Sequence, residues 1–322
     1  MAERPDEPSS TSAPSHYPTD KAPTGLTAAL PEIASLLVVL MWASTFVITK
    51  DALDEIEPLA FIFVRFLAVS VIALSVLAAR GRQGGWSRYW LVKRADWPTF
   101  IVAGVTGYFF YQIAFTLGLA NTSAFSSSLM IAMIPLFSLA IVAVRGERTP
   151  LMTWIGVAVS LTGVVIFLSQ RGGDSGMLGN VLSLIAAASF AMYGIVNRPL
   201  VSAYPPETVS AYATVIGTVP LLIVGAPAAI RQDWGALPAS TWLVLAYMAI
   251  FPVYIAYIMW NWAIGQRGMA ATSWNLLVPI VSGVLSAIVF SEAFGPLKIL
   301  GGAFAIAGLV VMRPRRKCLQ VA

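Results

Sequence analysis

From Leu30 onward the chain is a succession of apolar runs, broken by short charged or Gly/Pro-containing stretches. Each run holds roughly twenty residues, enough at 1.5 Å per residue to cross a hydrocarbon layer of about 30 Å as a helix. The breaks predict ten spans: 31–50, 58–79, 97–118, 123–144, 150–168, 178–198, 206–226, 239–262, 269–290 and 295–312. Connections such as Leu119 to Thr122 are only a few residues long, so the helices they join are expected to be antiparallel neighbours. The expected fold is therefore an all-α membrane protein. The first 29 residues have no apolar run and are rich in Pro, Ser and Thr, the composition of a disordered tail. No cleavable signal peptide is expected, because the first apolar run is full length and lacks a basic stretch before it.

The pattern also repeats. The stretch from Glu147 to Gly163 recurs as Glu292 to Gly308, with Gly nine and sixteen residues after each Glu and a Pro close behind it. Further matches pair Pro58 with Pro205 and Pro135 with Pro279, and lay the first span on the sixth. The chain thus reads as two five-helix repeats, 30–169 and 177–312, with a basic tail at 313–322. Five is odd, so the second repeat is expected to lie inverted relative to the first, around a central cavity. Inverted repeats of this kind mark secondary transporters.

Charge sets the orientation. Only 11% of residues are charged and 58% are hydrophobic, where a soluble chain carries roughly 25% charge. One side of the bundle holds Arg80, Arg82, Arg88, Lys93, Arg94, Arg145, Arg148, Arg198, Arg267 and the basic tail. The other begins with the acidic loop Asp51, Asp54, Glu55 and Glu57. Both termini are therefore expected in the cytoplasm, with the protein multi-pass in a plasma membrane, the inner membrane of a bacterium. The pI near 9.4 reflects these loops and does not call for a nucleic-acid partner. The single cysteine, Cys318, and the single histidine, His16, lie in the tails and make neither a disulfide framework nor a metal site. No cofactor is expected.

Candidate site residues follow from helical spacing, since in lipid a polar face must turn toward protein or a water-filled cavity. The stripes are Trp42, Thr45, Phe46 and Thr49; Tyr108, Tyr111, Gln112 and Phe115; Ser126, Met130 and Met133; Phe190, Tyr193 and Asn197; Tyr254, Tyr257 and Asn261; and Thr272, Asn275, Ser282 and Ser286. Each residue taken alone has a second reading as interhelical packing or interfacial anchoring. Arg65 lies well inside the second span and is the one charge so placed. It could hold a substrate carboxylate; the structural alternative, a head snorkelling outward to Asp54 or Glu57, is the expected one. Lys50 is expected to anchor at the interface. Glu147 and Glu292 are expected to cap the fifth and tenth helices, and Pro135 and Pro279 to serve as hinges in the fourth and ninth.

The residues that carry a family likeness are Trp42, Ala43 and Ser44, Arg65 with Phe66, Pro135, and the Glu147–Gly156–Gly163 set repeated as Pro279, Glu292, Gly301 and Gly308. In these the chain resembles the drug/metabolite transporter superfamily, and within it the ten-helix transporters with two EamA domains. The resemblance covers nearly the whole chain. It implies that the first, third, fourth, sixth, eighth and ninth helices line a central cavity, and it does not specify the substrate.

Together these readings predict a secondary transporter that exports a small metabolite by alternating access, as a monomer or homodimer. An amino acid, possibly aromatic, or an amphipathic drug fits the abundance of Trp and Tyr. No Asp, Glu or His lies near the middle of a span, so strong proton coupling is not expected. A channel-like facilitator is the first alternative. A membrane-embedded lipid-modifying enzyme is the second, and it lacks paired carboxylates, a nucleophile elbow and metal-ligand spacing.

Overall fold

The structure, a computed structural model, describes residues 26–144, 146, 150–169, 176–267, 274–275, 277–291 and 295–311, without the side chains of 26–29, 264, 265 and 267. His16, Cys318, the rest of both tails, Arg145, Glu147, Arg148, Arg171, Thr272 and Glu292 lie outside the described residues. All regular structure among those described is helical. Eight helices are long and apolar enough to cross a membrane: α1 (Leu26–Ala52), α2 (Pro58–Gly84), α3 (Trp86–Ala120), α4 (Ala124–Val144), α5 (Leu151–Ser169), α6 (Met177–Ala203), α7 (Pro206–Arg231) and α8 (Ala239–Ala263). Two shorter apolar helices follow, α9 (Val278–Phe290) and α10 (Pro296–Val311).

Local chemistry explains most boundaries. Pro58 and Pro206 open α2 and α7, where the missing N–H costs nothing because the first helical amides have no partner anyway. Ser123 opens α4 by accepting from the Ser126 amide at 3.2 Å. Gly85, at φ 94°, ends the long α2. The first stretch of α3, Trp86–Trp90, unforeseen from the sequence, folds back on α2 with its Trp86 and Trp90 rings stacked at 4.7 Å, and α3 is broken at 91–93 before it resumes.

The helices pair as two inverted halves require. α5 packs on α10 and α2 on α7; α3 packs on α6 as α1 does on α8; α4 packs on α6 as α1 does on α9. Exchanging the halves maps this set of pairs onto itself. The two copies of the Gly repeat pack on each other: a methyl added at Gly163 would fall 2.6 Å from the Gly301 carbonyl, and one at Gly308 2.5 Å from that of Gly156. The backbones touch because only Gly leaves room there. Each copy of the Gly repeat is the other's partner, and the two run antiparallel.

One end of the bundle gathers the α1–α2 loop, the end of α3 and the α7–α8 loop. There Lys50 donates to the carbonyls of Leu119 and Ala120, both at 3.1 Å, and Arg231 pairs with Glu57 at 3.5 Å. Lys50 thus closes the carbonyl end of α3, where the helix dipole favours a cation. The other end gathers the α2–α3 and α6–α7 connections and the start of α1, whose Glu32 accepts from Trp274 at 2.9 Å. Leu36, Leu40, Val219, Ile223 and Ile288 face outward, where lipid would cover them.

Three departures from regular helix matter below. α3 widens to a π-helix at Val105–Phe110, and α8 does so at Ala249–Ile255, at positions that overlap once one repeat is laid on the other. α4 is interrupted between Ile131 and Ile134, just before Pro135. Pro135 cannot donate to the Ile131 carbonyl, and the ladder tightens beside it, where Leu136 bonds to Met133 three residues back before Phe137 restores the regular bond to Met133. The Pro135 ring faces outward, away from the bundle interior. Pro279, expected at mid-span, instead sits in the first turn of α9 and is buried.

Candidate functional site

The spacing that put aromatic residues on one face of α1, α3, α6 and α8 brings six of them together, and Trp260 joins them as a seventh. Trp42 lies 5.9 Å from Phe190, 5.9 Å from Tyr257 and 6.0 Å from Trp260, centroid to centroid. Tyr111 lies 4.9 Å from Phe190, and Tyr108 is 4.9 Å from Tyr257 and 5.7 Å from Tyr193. Tyr193 stacks on Trp260 at 6.0 Å and 20°. Most of these pairs are edge-on or tilted, which sets positive ring edges against negative faces, each worth about 0.5–1.5 kcal/mol beyond burial. Both repeats contribute. Trp260 is the member that sequence reasoning missed; its place one turn past Tyr257 was the available signal.

The π segments aim these rings. A π turn inserts one residue and rotates everything after it, so Tyr111 follows one widened turn and Tyr257 the other. Pro252 sits inside the second. The Trp42 indole N–H donates to the Pro252 carbonyl at 3.0 Å, tying α1 to the π turn of α8.

Beside the ring cluster is Arg65. It is 1% exposed and does not reach Asp54 or Glu57, so the outward-snorkelling expectation is corrected. Glu57 is engaged by Arg231. Three residues explain the inward turn: Phe61 and Phe66 hold the guanidinium carbon 4.8 and 5.1 Å from their ring centroids, and Gln112 accepts from Nη2 at 2.7 Å. A bond from a charged donor is worth about 1.5–3 kcal/mol and cation–π contact about 0.5–2. The penalty for burying one ion is several kcal/mol, so these contacts offset much of it without adding the opposite charge. Trp42, Thr45, Arg65, Tyr111, Gln112, Phe115, Pro252, Val253 and Tyr257 enclose a cavity of about 20 Å³. That is room for one water.

Most of the other candidate residues lie outside this cavity. Thr45 lines the cavity but spends its hydroxyl on the Met41 carbonyl at 3.0 Å, and Phe46 packs on Phe115 at 5.3 Å. Asn197 and Asn261 form a buried chain below the rings, Asn197 donating to Asn261 and Asn261 to Ser210, each at 2.9 Å. Tyr254 is buried in the same core, but its ring joins none of the aromatic pairs and its hydroxyl is unpartnered among the described residues. Ser126 accepts from Ser123 at 3.0 Å in the helix cap, and Met130 is fully buried with Val157 and Leu309. Their face of α4 thus meets α5 and α10. Asn275 is half-buried beside Trp274 at the entry to α9.

This is the build of a multi-pass transporter: paired helical repeats, two π-distorted helices and a small chamber between them. The sequence pattern of the EamA-like transporter family matches residues 30–169 and 177–313. The chain belongs to that family. It is 31% identical over 291 residues to a "Probable terminal-alkyne amino-acid exporter" of Streptantibioticus cattleyicolor, an alignment covering 88% of this chain and 93% of that one. Against a "Probable amino-acid metabolite efflux pump" of Escherichia coli the identity is 26%, over 87% of this chain and 93% of that one. A crystal structure 20% identical to it, covering 88% of this chain and 96% of that one, superposes with a TM-score of 0.62 and shows the same fold.

Proposed function

We propose that the chain is an alternating-access carrier that exports a small amphipathic solute, best an amino acid with an apolar or aromatic side chain. The observation that carries this reading is the chamber itself: rings from α1, α3, α6 and α8 close over a polar pair, Arg65 and Gln112, where the two repeats meet. One similar protein is named a probable amino-acid exporter and another a probable amino-acid metabolite efflux pump, in agreement with it. At about 20 Å³ the chamber is too small for an amino acid, so binding requires the halves to part. Alternating access follows if they part at one end at a time. The end bearing Arg80, Arg82, Arg88, Lys93 and Arg94 is assigned to the cytoplasm.

The buried charged side chains among the described residues are the cations Arg65 and Lys298. A proton relay usually runs through carboxylates or histidine, so export is assigned to the solute's own gradient, without strong proton coupling.

The test is flux in liposomes containing the purified protein. Saturable uptake of labelled L-phenylalanine or L-leucine, accelerated by unlabelled solute on the far side and indifferent to an imposed pH gradient, is expected. Linear uptake without acceleration would make the protein a channel. Tyr111→Ala and Trp42→Ala should each lower apparent affinity about tenfold or more, and unchanged affinity in both would remove the chamber from the path.

A further inference from the structure

Arg65 has the attributes of half a binding site. Its side chain is buried at the chamber wall, and its Nε has no hydrogen-bond partner among the described residues. The ion pairs within 4.0 Å among those residues are Arg80–Glu207 and Arg231–Glu57, so no carboxylate answers this charge. Its one polar contact is with a neutral amide. Phe61 and Phe66 fix the plane of the guanidinium by lying against it, and the free Nε edge is what a carboxylate engages when it binds an arginine through two parallel bonds. Tyr111, Tyr257 and Trp42 line the same chamber as Arg65.

We infer that Arg65 receives the carboxylate of the transported solute, with Gln112 holding the guanidinium in place and the ring cluster taking the apolar side chain. The inference rests on the carrier reading above and narrows its substrate class. One buried cation balances one negative charge, so a monocarboxylate fits and a phosphate dianion does not. The solute's carboxylate completes an ion pair that the bundle leaves half made. The chamber therefore recognises amino acids at the acid group and discriminates weakly among apolar side chains, because rings offer area and no directional contact.

Acid and amide forms of one side chain separate this from a structural role. In liposome counterflow with the full chain, L-phenylalanine and L-leucine should half-saturate at concentrations at least tenfold below L-phenylalaninamide and L-leucinamide. Arg65→Gln should remove that preference, weakening the acids tenfold or more and leaving the amides within about twofold. Arg65→Lys keeps the charge and loses the fork, and should fall between. Amide flux shows that each variant is folded; if Arg65→Gln carries neither solute, the Arg65→Lys comparison decides. Equal handling of acid and amide by the unmodified protein, or a preference that survives substitution, overturns the inference. If no solute shows counterflow, the carrier reading fails, and thermal shift decides Arg65 alone. A melting temperature raised by the acid and not the amide, with the difference lost in Arg65→Gln, sustains the site, and any other pattern overturns it.

Discussion

Trp42 shows how much one side chain can fix. Its ring touches three others, and its indole N–H satisfies a carbonyl that a π turn leaves exposed inside the bundle. Phe in its place keeps most of the apolar area and orphans the Pro252 carbonyl. Leaving a buried acceptor unsatisfied costs about 1–3 kcal/mol. Trp42→Phe is therefore expected to lower the unfolding temperature in detergent, whereas Phe46→Leu, which touches no hydrogen bond, should cost less. Equal losses would show that area alone matters at Trp42. The residue was legible as a site candidate from its helical spacing with Thr45 and Thr49, but the partner on α8 was not. A carbonyl becomes an acceptor only when a distant helix distorts toward it.

Among the elements, α5 and α10 are the most closely joined, because their glycines let the backbones meet. Gly163→Leu should separate them and destabilise the fold by several kcal/mol, since the atoms in the way are backbone and cannot turn aside. Gly194 is the control: a methyl there meets nothing within 4 Å, and Gly194→Ala should be neutral or raise stability by up to about 1 kcal/mol through helix propensity. Denaturation monitored by circular dichroism would compare them, and a tolerated Gly163→Leu would refute the close contact. Periodicity located these helices to within a few residues but assumed a regular turn throughout. It therefore missed both π segments. It also placed Met130 beside the cavity, where helix rotation turns that face to α5 and α10.

At the scale of the whole molecule, both ends are tied shut. On the basic side Tyr204 donates to Asp96 and accepts from the Lys93 amide at 3.1 Å. Thr208 and Tyr212 donate to the carbonyls of Tyr89 and Trp90, and Arg80 pairs with Glu207 at 3.3 Å. On the acidic side Arg231 pairs with Glu57, and Thr241 donates to Glu55. On the proposed carrier reading, opening one end would break one set. Tyr204→Phe removes both hydroxyl bonds, so with Cys318 replaced by Ser a Ser210→Cys probe, buried beside Asn261, should react severalfold faster with an impermeant maleimide from the basic side. An unchanged rate would show that Tyr204 does not gate. Burial, then the bond to Asp96, raises the pKa of the Tyr204 hydroxyl. The neutral hydroxyl makes both bonds, so their contribution is complete below the unfolded value of about 10 and is lost as pH rises through the raised one. Once corrected for thiolate fraction, probe reactivity should be flat from about pH 6 to 9.

The chain by itself determined what repetition and periodicity can encode: helical spans, two copies of one unit, a one-sided charge distribution, and aromatic faces on α1, α3, α6 and α8. These are local properties, set by residue type and the turn of a helix, and they survive without knowledge of neighbours. Tertiary structure decided the rest. Where Arg65 turns depends on Phe61 and Phe66 on its own helix and Gln112 on another, and whether it meets an acid there depends on which loops pair with which. An arginine stem is long enough to point either outward or inward, and the balance between snorkelling and burial is set by contacts that exist only after the helices have packed.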